Sequence, residues 1–559
     1  MAEHQTFRSI LENFSHPIME EIVALLDREG ENSVYGGFPA LQDDTFMVRG
    51  AVLQSVAALA VYDRKIGDPR YADNLRRMSS FSRLFVDQPT KTWGKLKLLS
   101  GLCDLLDAGL LSELSPEALE IYKKASEYDD FLDKETATLK NNMPTNYYNV
   151  AMACASYREK LGWENEGMAD RIRDRILEIM QHFSSEGWAD EQPPHGRFDS
   201  YSINVPMELA PPLLETGHDV PPAALEILRK AAYLCLSMRN IRGDGFPYGR
   251  SLSIHGDVTP VEVIGTALKM NLIDEKDRLD AIAYIGRCIL KIKEFWYDPE
   301  LGFINIWLKG RATNDYRNIS RILSVNIETH RKLFDALETA EKLGYADMPL
   351  PKSDYGWTEQ WTCDEFLFDL RKNSKRALYL LRKKDLIFAL PLIGGGRRFL
   401  QANYLPFPAM PRLLEAPQDT PVPFLAPHYF LPDGRKVVPA GFYESIDVEK
   451  SENRIVITAR GKMSLSDPPR LGGNPEPNAP YTAIYTFEGD TISVWFDTDA
   501  EITAVQMLYA GDARVEGLGF SQEETLDVSD QKFHTPHGAP EKGVQWTGEK
   551  ARVGYRILL

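Results

Sequence analysis

Ala346-Asp347-Met348-Pro349-Leu350-Pro351 separates two stretches of this sequence that differ in character. Its two prolines lack the N–H that a helix interior or a central strand requires, so neither kind of element runs through them. Before it, apolar residues recur at three- and four-residue spacing, the mark of helices that bury one face. Segments 19–26, 52–62, 96–110, 150–161, 169–183, 223–236, 261–270, 279–292 and 326–343 carry that spacing. Weaker segments near 71–85, 116–128 and 203–214 bring the total to about twelve. The connecting loops hold Gly, Pro or Asp, as at Gly243-Asp244-Gly245. A dozen alternating helices without a fixed-period repeat predict a ring of helical hairpins, an (α/α)6-type toroid over residues 1–345.

After the break the pattern becomes short β-branched and aromatic runs, at 454–459, 481–487, 491–496, 504–509 and 544–546. Turn pairs Asp433-Gly434 and Gly489-Asp490 punctuate them. Strands at that spacing predict an antiparallel β-sandwich over residues 346–559. Residues 374–384 fit either a helix or a charged strand pair, and 467–481 reads as a Pro/Gly-rich loop. The fold class expected is therefore multidomain, an α toroid followed by a β-sandwich, and 559 residues are too many for one core.

Hydrophobic residues make up 43% and charged residues 26%, ordinary values for a globular chain and unlike those of a disordered one. A net charge of −17 repels a nucleic-acid backbone, so no nucleic-acid partner is expected. The same field repels an acidic sugar, so a site for one must bring its own Arg and His. No apolar run reaches the ~18 residues of a membrane span. Met1-Ala2-Glu3-His4-Gln5-Thr6-Phe7-Arg8 lacks the apolar core of a secretory signal, which leads to the expectation of a cytoplasmic protein. Cys103, Cys154, Cys235, Cys288 and Cys363 are scattered and form no CxxC pair, so neither a disulfide framework nor a zinc knuckle is expected. Gly394-Gly395-Gly396-Arg397-Arg398 lacks the Lys-Ser/Thr ending of a phosphate loop and reads as a turn. No cofactor and no metal are expected.

Three segments carry the chemistry. Pro144-Thr145-Asn146-Tyr147-Tyr148-Asn149 offers amides. His195-Gly196-Arg197-Phe198-Asp199-Ser200-Tyr201 offers an imidazole and a phenol. Phe246-Pro247-Tyr248-Gly249-Arg250-Ser251-Leu252-Ser253 offers a guanidinium, with His255 close behind. β-Elimination from a uronic acid needs these groups. The C5 proton is α to a carboxylate, and removing it builds a dianion unless that carboxylate is neutralised. Asn146 or Asn149 can hydrogen-bond the carboxylate without adding negative charge, and Arg250 can clamp it. His195 can assist or accept the proton. Tyr201 or Tyr248 can protonate the leaving oxygen or, beside cations, act as base. Plainer roles compete: Asn146 and Asn149 precede an apolar run where an Asn can cap a helix, Tyr201 can be a core aromatic, and Arg250 can pair with Asp244 or Asp257.

The order Asn, His with a nearby Tyr, then Arg resembles the toroid polysaccharide lyases typified by chondroitin AC and hyaluronate lyases. Their Gly-Arg-Ser-Ile-Ser-Arg motif is matched by Gly249-Arg250-Ser251-Leu252-Ser253, with Ile254 and then His255 where the motif's last Arg would stand. A second resemblance rests on Asn146-Tyr147-Tyr148-Asn149, Gly187-Trp188, Phe198-Asp199-Ser200-Tyr201 and Tyr248-Gly249-Arg250-Ser251-Leu252. These look like a bacterial and fungal toroid family known as domain of unknown function 2264, some members of which are implied to be glucuronidases. The resemblances imply a uronate site with Asn146, His195, Tyr201 and Arg250 as catalytic residues. Asn149, Trp188, Arg197, Asp199, Tyr248 and His255 would hold the substrate, an acidic oligo- or polysaccharide.

Two other readings stay open at this stage. A glycoside hydrolase needs two carboxylates flanking one bond, and Asp190, Glu191, Asp199, Asp244, Asp257 and Glu262 are candidates, with Asp43 and Asp44 near Arg49 as further ones. A non-catalytic carbohydrate-binding protein needs only aromatic platforms such as Trp93, Trp188, Trp296 and Trp307. The polar loop 310–317, with Arg311 and Arg317, can touch an acidic substrate in any of the three.

Overall fold

The computed structural model describes residues 5–42, 47–86, 90–183, 186, 188, 198–250, 252–307, 319–368, 375–393, 402–403, 405–416, 424–465, 475–529 and 535–559. Among them are twelve helices of at least ten residues. These are α1 His16–Glu29, α2 Val48–Ile66, α3 Arg70–Phe81, α4 Thr92–Asp107, α5 Pro116–Ala125 and α6 Asn146–Lys160, followed by α7 Met168–Phe183, α8 Ser200–Glu215, α9 Pro222–Ser237, α10 Ile254–Lys269, α11 Arg278–Lys291 and α12 Ile322–Lys342.

Odd- and even-numbered helices differ in composition, and so in place. α3 buries only Asn74, Leu75, Met78 and Phe81, one face of an otherwise charged helix. α2 buries nearly every residue from Val48 to Ala60, and α6 nearly every residue from Asn146 to Arg158. A helix apolar all round must be covered all round, so the even-numbered helices form the inner layer. They touch in the circuit α2–α4–α6–α8–α10–α12 and back to α2, a closed ring. A Cβ on Gly50 would lie 1.8 Å from the Gly94 carbonyl oxygen, so α2 and α4 approach to a distance only glycine permits.

The six inner helices run parallel, as their cross-links show. Gly50 meets Gly94 early in α2 and α4, and Gln54 meets Ser100 later in both. Trp93 meets Tyr147 at the starts of α4 and α6, and the Cys103 thiol meets the Tyr157 carbonyl near their ends. Asn149 reaches Val205 early in α6 and α8, and Tyr157 reaches Glu215 at the far end. Glu262–Lys332 and then Lys269–Glu338 step the same way along α10 and α12, while Lys97–Glu328 and then Asp104–Arg331 do so along α4 and α12. All six N-termini therefore open at one end of the ring. α8 holds Pro206, Pro211 and Pro212 in its interior, which explains its weak sequence signal.

The described strands of at least three residues after α12 are β1 Thr358–Leu367, β2 Ala377–Lys384, β3 Leu386–Leu392, β4 His428–Phe430, β5 Lys436–Val438, β6 Tyr443–Ser451 and β7 Arg454–Leu465, then β8 Pro475–Glu488, β9 Thr491–Asp497, β10 Ala504–Ala510, β11 Arg514–Leu518, β12 Gln522–Asp527, β13 Lys542–Gly548 and β14 Val553–Leu558. Instead of two comparable facing sheets, eleven of them form one antiparallel sheet in the order β11-β14-β9-β8-β7-β5-β4-β10-β13-β12, with β6 also on β7. β1, β2 and β3 form a separate antiparallel sheet of three. The ambiguous segment 374–384 thus contains a strand, and residues 475–481, expected as loop, begin β8.

The small sheet is the layer between the two cores. Leu378 and Leu380 of β2 join the helical core, whereas Ala377, Tyr379 and Leu381 join the core of the large sheet. Alternation along a strand sends neighbours to opposite faces, so a strand apolar at every position is covered on both. Arg382 at its end donates to the Ser237 and Arg239 carbonyls at 3.1 and 2.6 Å, satisfying groups at the C-terminus of α9.

Candidate active site

Asn146 opens α6. The residue before it, Thr145, makes no side-chain cap hydrogen bond. Asn146 is 4% exposed and Asn149 1%, and neither Oδ1 has a hydrogen-bond partner. Asn149 Nδ2 donates to the Val205 carbonyl at 2.7 Å and to Glu208 Oε2 at 3.3 Å. Asn146 therefore does not cap the helix through its oxygen, the plainer role its position suggested. A buried amide oxygen without a donor costs about 1–3 kcal/mol, and such groups in native folds call for a functional or ligand explanation.

α8 begins one residue after Asp199. Asp199 Oδ1 accepts from the Tyr201 backbone N–H at 2.9 Å, and Ser202 Oγ accepts from the Asp199 N–H at 3.3 Å. This is a reciprocal capping box, so the fully buried Asp199 carboxylate is engaged in holding the helix start. Its capping places the half-buried Tyr201 in the first turn. Gly249 has φ 88°, and a Cβ there would lie 2.5 Å from Asp199 Cβ. The short strand Gly249–Arg250 thus rests on the α8 cap, and it pairs antiparallel with Ala402–Asn403. Ser253 then starts α10 at φ 65°, a left-handed conformation costing roughly 1–3 kcal/mol in a non-glycine residue. The half-buried His255 lies in the first turn of α10.

The starts of α6, α8 and α10 are thus joined through Asn149–Val205 and Asp199–Gly249. His195 and Arg197 lie outside the described residues, as do Asp43, Asp44, Asp190, Glu191, Ser251 and the loop 310–317; for Arg250 only the backbone is described. Other expectations change. Tyr248, expected to touch substrate, is 1% exposed with its ring 4.9 Å from that of Phe246. Burial, with Asp199 nearby, raises its phenol well above the usual range, so it stays protonated. Trp188 is 3% exposed against Phe368, and Trp296 is fully buried with Nε1 donating to Asp257 at 2.8 Å. Both are core residues in place of the expected sugar platforms. Trp93 and Trp307 are half-buried, and Trp93 stands 6.3 Å from the Tyr147 ring at the mouth of the ring.

Inside the ring lies a cavity of about 590 Å³, lined by all six inner helices and by Trp93. Its wall is charged. Lys97 pairs with Glu328 at 3.2 Å, Lys332 with Glu262 at 2.9 Å, Arg331 with Asp104 at 3.0 Å and Lys269 with Glu338 at 3.0 Å. Burial pushes the Glu208 carboxyl up to about 8, Glu215 to about 7 and Asp104 to about 6. Sequence reading missed this belt apart from Glu262. Charges inside an apolar-periodic helix such as α12 look like a solvated face, and only ring closure turns that face inward.

The hydrolase candidates Asp244 and Asp257 have another occupation. Both lie 2.7 Å from the buried Lys291 Nζ, which donates to Asp244 and forms an ion pair with Asp257. Asp244 also meets Arg242 at 2.8 Å and, from the β-region, Arg412 at 3.3 Å. Burial would raise the Asp244 carboxyl, but Lys291 and the two arginines outweigh it and hold it well below the usual carboxylate range. A permanently ionised, triply paired carboxylate is unsuited to be the general acid of a glycosidase.

Among solved structures, the chondroitin AC lyase of Streptomyces coelicolor A3 in complex with chondroitin sulphate matches over 99% of this chain and 79% of its own, with TM-score 0.53 and 12% identity. Heparinase III matches over 97% of this chain and 84% of its own, with TM-score 0.53 and 10% identity. The chain shares the fold of the (α/α) toroid polysaccharide lyases. That likeness is one of fold: it covers both the helical part and the large antiparallel sheet. No family model matches the chain, and no curated protein matches it by sequence. No helix among the described residues is long and apolar enough to cross a membrane.

Proposed function

We propose that this toroid-lyase fold is a polysaccharide lyase that cleaves a uronic-acid-containing glycan by β-elimination. The observation that carries the reading is the Asn146–Asn149 pair at the mouth of the ring, neutral and buried: the Asn146 side-chain N–H₂ is the donor for a carboxylate, and the two unpaired amide oxygens are acceptors left for sugar hydroxyls. A neutral amide can hydrogen-bond a uronate carboxylate without the repulsion that a carboxylate would bring. Six helix N-termini around the same mouth add partial positive charge, which offsets the repulsion of an acidic sugar by the net charge of −17.

Asn146, with His195 and Arg250, neutralises the uronate carboxylate, which lowers the barrier to removing the C5 proton. A base takes that proton as the C4–O bond breaks, the C4=C5 double bond forms, and the leaving oxygen receives a proton. Tyr201 serves as acid and base. Asn149, Arg197 and His255 contact the substrate, and Trp93 takes over the stacking role expected of Trp188. In this reading the closed ring, residues 1–345, is a toroid of six hairpins, and residues 346–559 close one side of the cleft.

The test is to incubate the protein with uronate oligosaccharides and follow ultraviolet absorbance. A lyase produces the conjugated C4–C5 chromophore. New reducing ends without absorbance would make it a hydrolase, and binding without either would make it a lectin-like protein.

A further inference from the structure

At the end of α2 opposite the mouth, three side chains from two helices converge. His16 and Glu20 are one turn apart on α1, and Asp63 faces them from the last turns of α2. His16 Nε2 lies 3.5 Å from Glu20 Oε1 and 3.5 Å from Asp63 Oδ1, and the three donor atoms are all within 4.8 Å of one another. His16 is 5% exposed and Asp63 is fully buried. Neither ring nitrogen of His16 and not Asp63 Oδ1 makes a hydrogen bond, although every one of these atoms is buried.

The spacing fits a shared ion better than direct hydrogen bonds. At 3.5 Å each contact is beyond good N–H···O geometry. Two donors bound to one zinc ion at about 2.0–2.2 Å and a tetrahedral angle lie about 3.4 Å apart. We propose that His16 Nε2, Glu20 Oε1 and Asp63 Oδ1 form a binding site for a zinc-like divalent cation, with the fourth position left to water.

The surroundings support such a site. Asp63 Oδ2 accepts from Asn74 Nδ2 at 3.1 Å, which turns Oδ1 toward the histidine. The Arg70 guanidinium pairs with Glu20 through the same Oε1 and with Asp68, so that oxygen would be shared between the guanidinium and the ion, and Arg70 fixes where it sits. The His16 ring is held by packing, 5.4 Å from Tyr62 and 6.3 Å from Phe334. The N/O/O donor set suits zinc and late first-row divalent ions more than calcium, which prefers six to eight oxygens. Its place between α1 and the end of α2 makes it a clamp on the ring, independent of the proposed reaction at the mouth.

The full-length protein, stripped with a chelator and dialysed, is titrated with Zn²⁺ by calorimetry, and Co²⁺ is added to a second sample for its visible ligand-field spectrum. One equivalent of Zn²⁺ is expected, with a tetrahedral Co²⁺ spectrum. Asp63→Asn and Glu20→Gln should each weaken Zn²⁺ binding by at least about 100-fold, more than loss of a supporting contact alone. Absence of saturable binding by the wild-type chain overturns the site, whatever the variants do. Undiminished binding by Glu20→Gln, which alters a half-exposed residue and leaves the core intact, overturns it as well. Zinc binding unaffected by either variant would place the ion elsewhere.

Discussion

Glu208 Oε2 lies 3.3 Å from Asn149 Nδ2 across the α6–α8 seam, and burial has pushed that carboxyl up to about 8 from its ordinary 4.5. The folded chain therefore holds a proton on Glu208 at neutral pH that the unfolded chain has released. Between about 4.5 and 8 this group binds a proton in the folded state and not in the unfolded one, so its contribution to stability falls as pH rises through that window. Glu215 and Asp104, raised to about 7 and about 6, act in the same direction. Urea unfolding midpoints are expected to drop from pH 7 to pH 8, above the range in which the buried His330 and His428 act in the opposite sense, and Glu208→Gln should flatten the drop. A variant slope equal to that of the wild type would show that this proton is not linked to folding.

Asn146 and Asn149 should separate activity from stability. Asn146→Ala removes an amide whose oxygen bonds nothing, so its thermal midpoint should stay within a degree or two of wild type. Its rate of chromophore formation should fall about 10²–10³-fold, the loss seen when one preorganised donor is removed. Asn149→Ala also breaks the bonds to Val205 and Glu208, so it should lose activity and about 1–3 kcal/mol of stability together. Equal rates for Asn146→Ala and wild type would remove that residue from the reaction.

Lys291 neutralises Asp244 and Asp257 inside the protein. Lys291→Met leaves two buried carboxylates short of their cation and should cost about 3–5 kcal/mol in urea unfolding. A folded, stable Lys291→Met protein would mean that Arg242 and Arg412 suffice for Asp244, and that Trp296 and the Gly245 N–H suffice for Asp257.

Gly249 sits against the Asp199 cap with φ 88°. Gly249→Ala would place its Cβ 2.5 Å from that of Asp199 and force the Arg250 strand off the α8 start. A stability loss of more than about 1 kcal/mol is expected, with a larger proportional loss in kcat than in binding, because the Arg250 strand and the α8 start shift together. Asp199→Ala should cost about 1 kcal/mol as a lost helix cap. If the Gly249→Ala protein kept full kcat, the contact between these segments would be irrelevant to catalysis.

Much of the fold was legible because periodicity is a local property. The helices announced themselves through apolar spacing, including weak ones such as 71–85, where α3 stands. α8 was faint because Pro206, Pro211 and Pro212 dilute the pattern. β2 was ambiguous because it is apolar on both faces, and a strand covered on both sides shows no alternation. Eleven strands joined in one sheet are invisible in sequence, since pairing between β4 and β10 links residues far apart in the chain.

The sequence by itself determined which residue types were at hand: amides at Asn146 and Asn149, a phenol at Tyr201, a guanidinium at Arg250, and helices to carry them. Only the tertiary structure decided their circumstances. It left the two amide oxygens unpaired, used Asp199 as a cap, and tied Asp244 to Lys291. It also turned the charged faces of α4, α10 and α12 inward and brought His16 against Asp63. Side-chain type is written residue by residue, whereas burial, partner and protonation depend on which segments meet, and closing the ring brings together positions hundreds of residues apart.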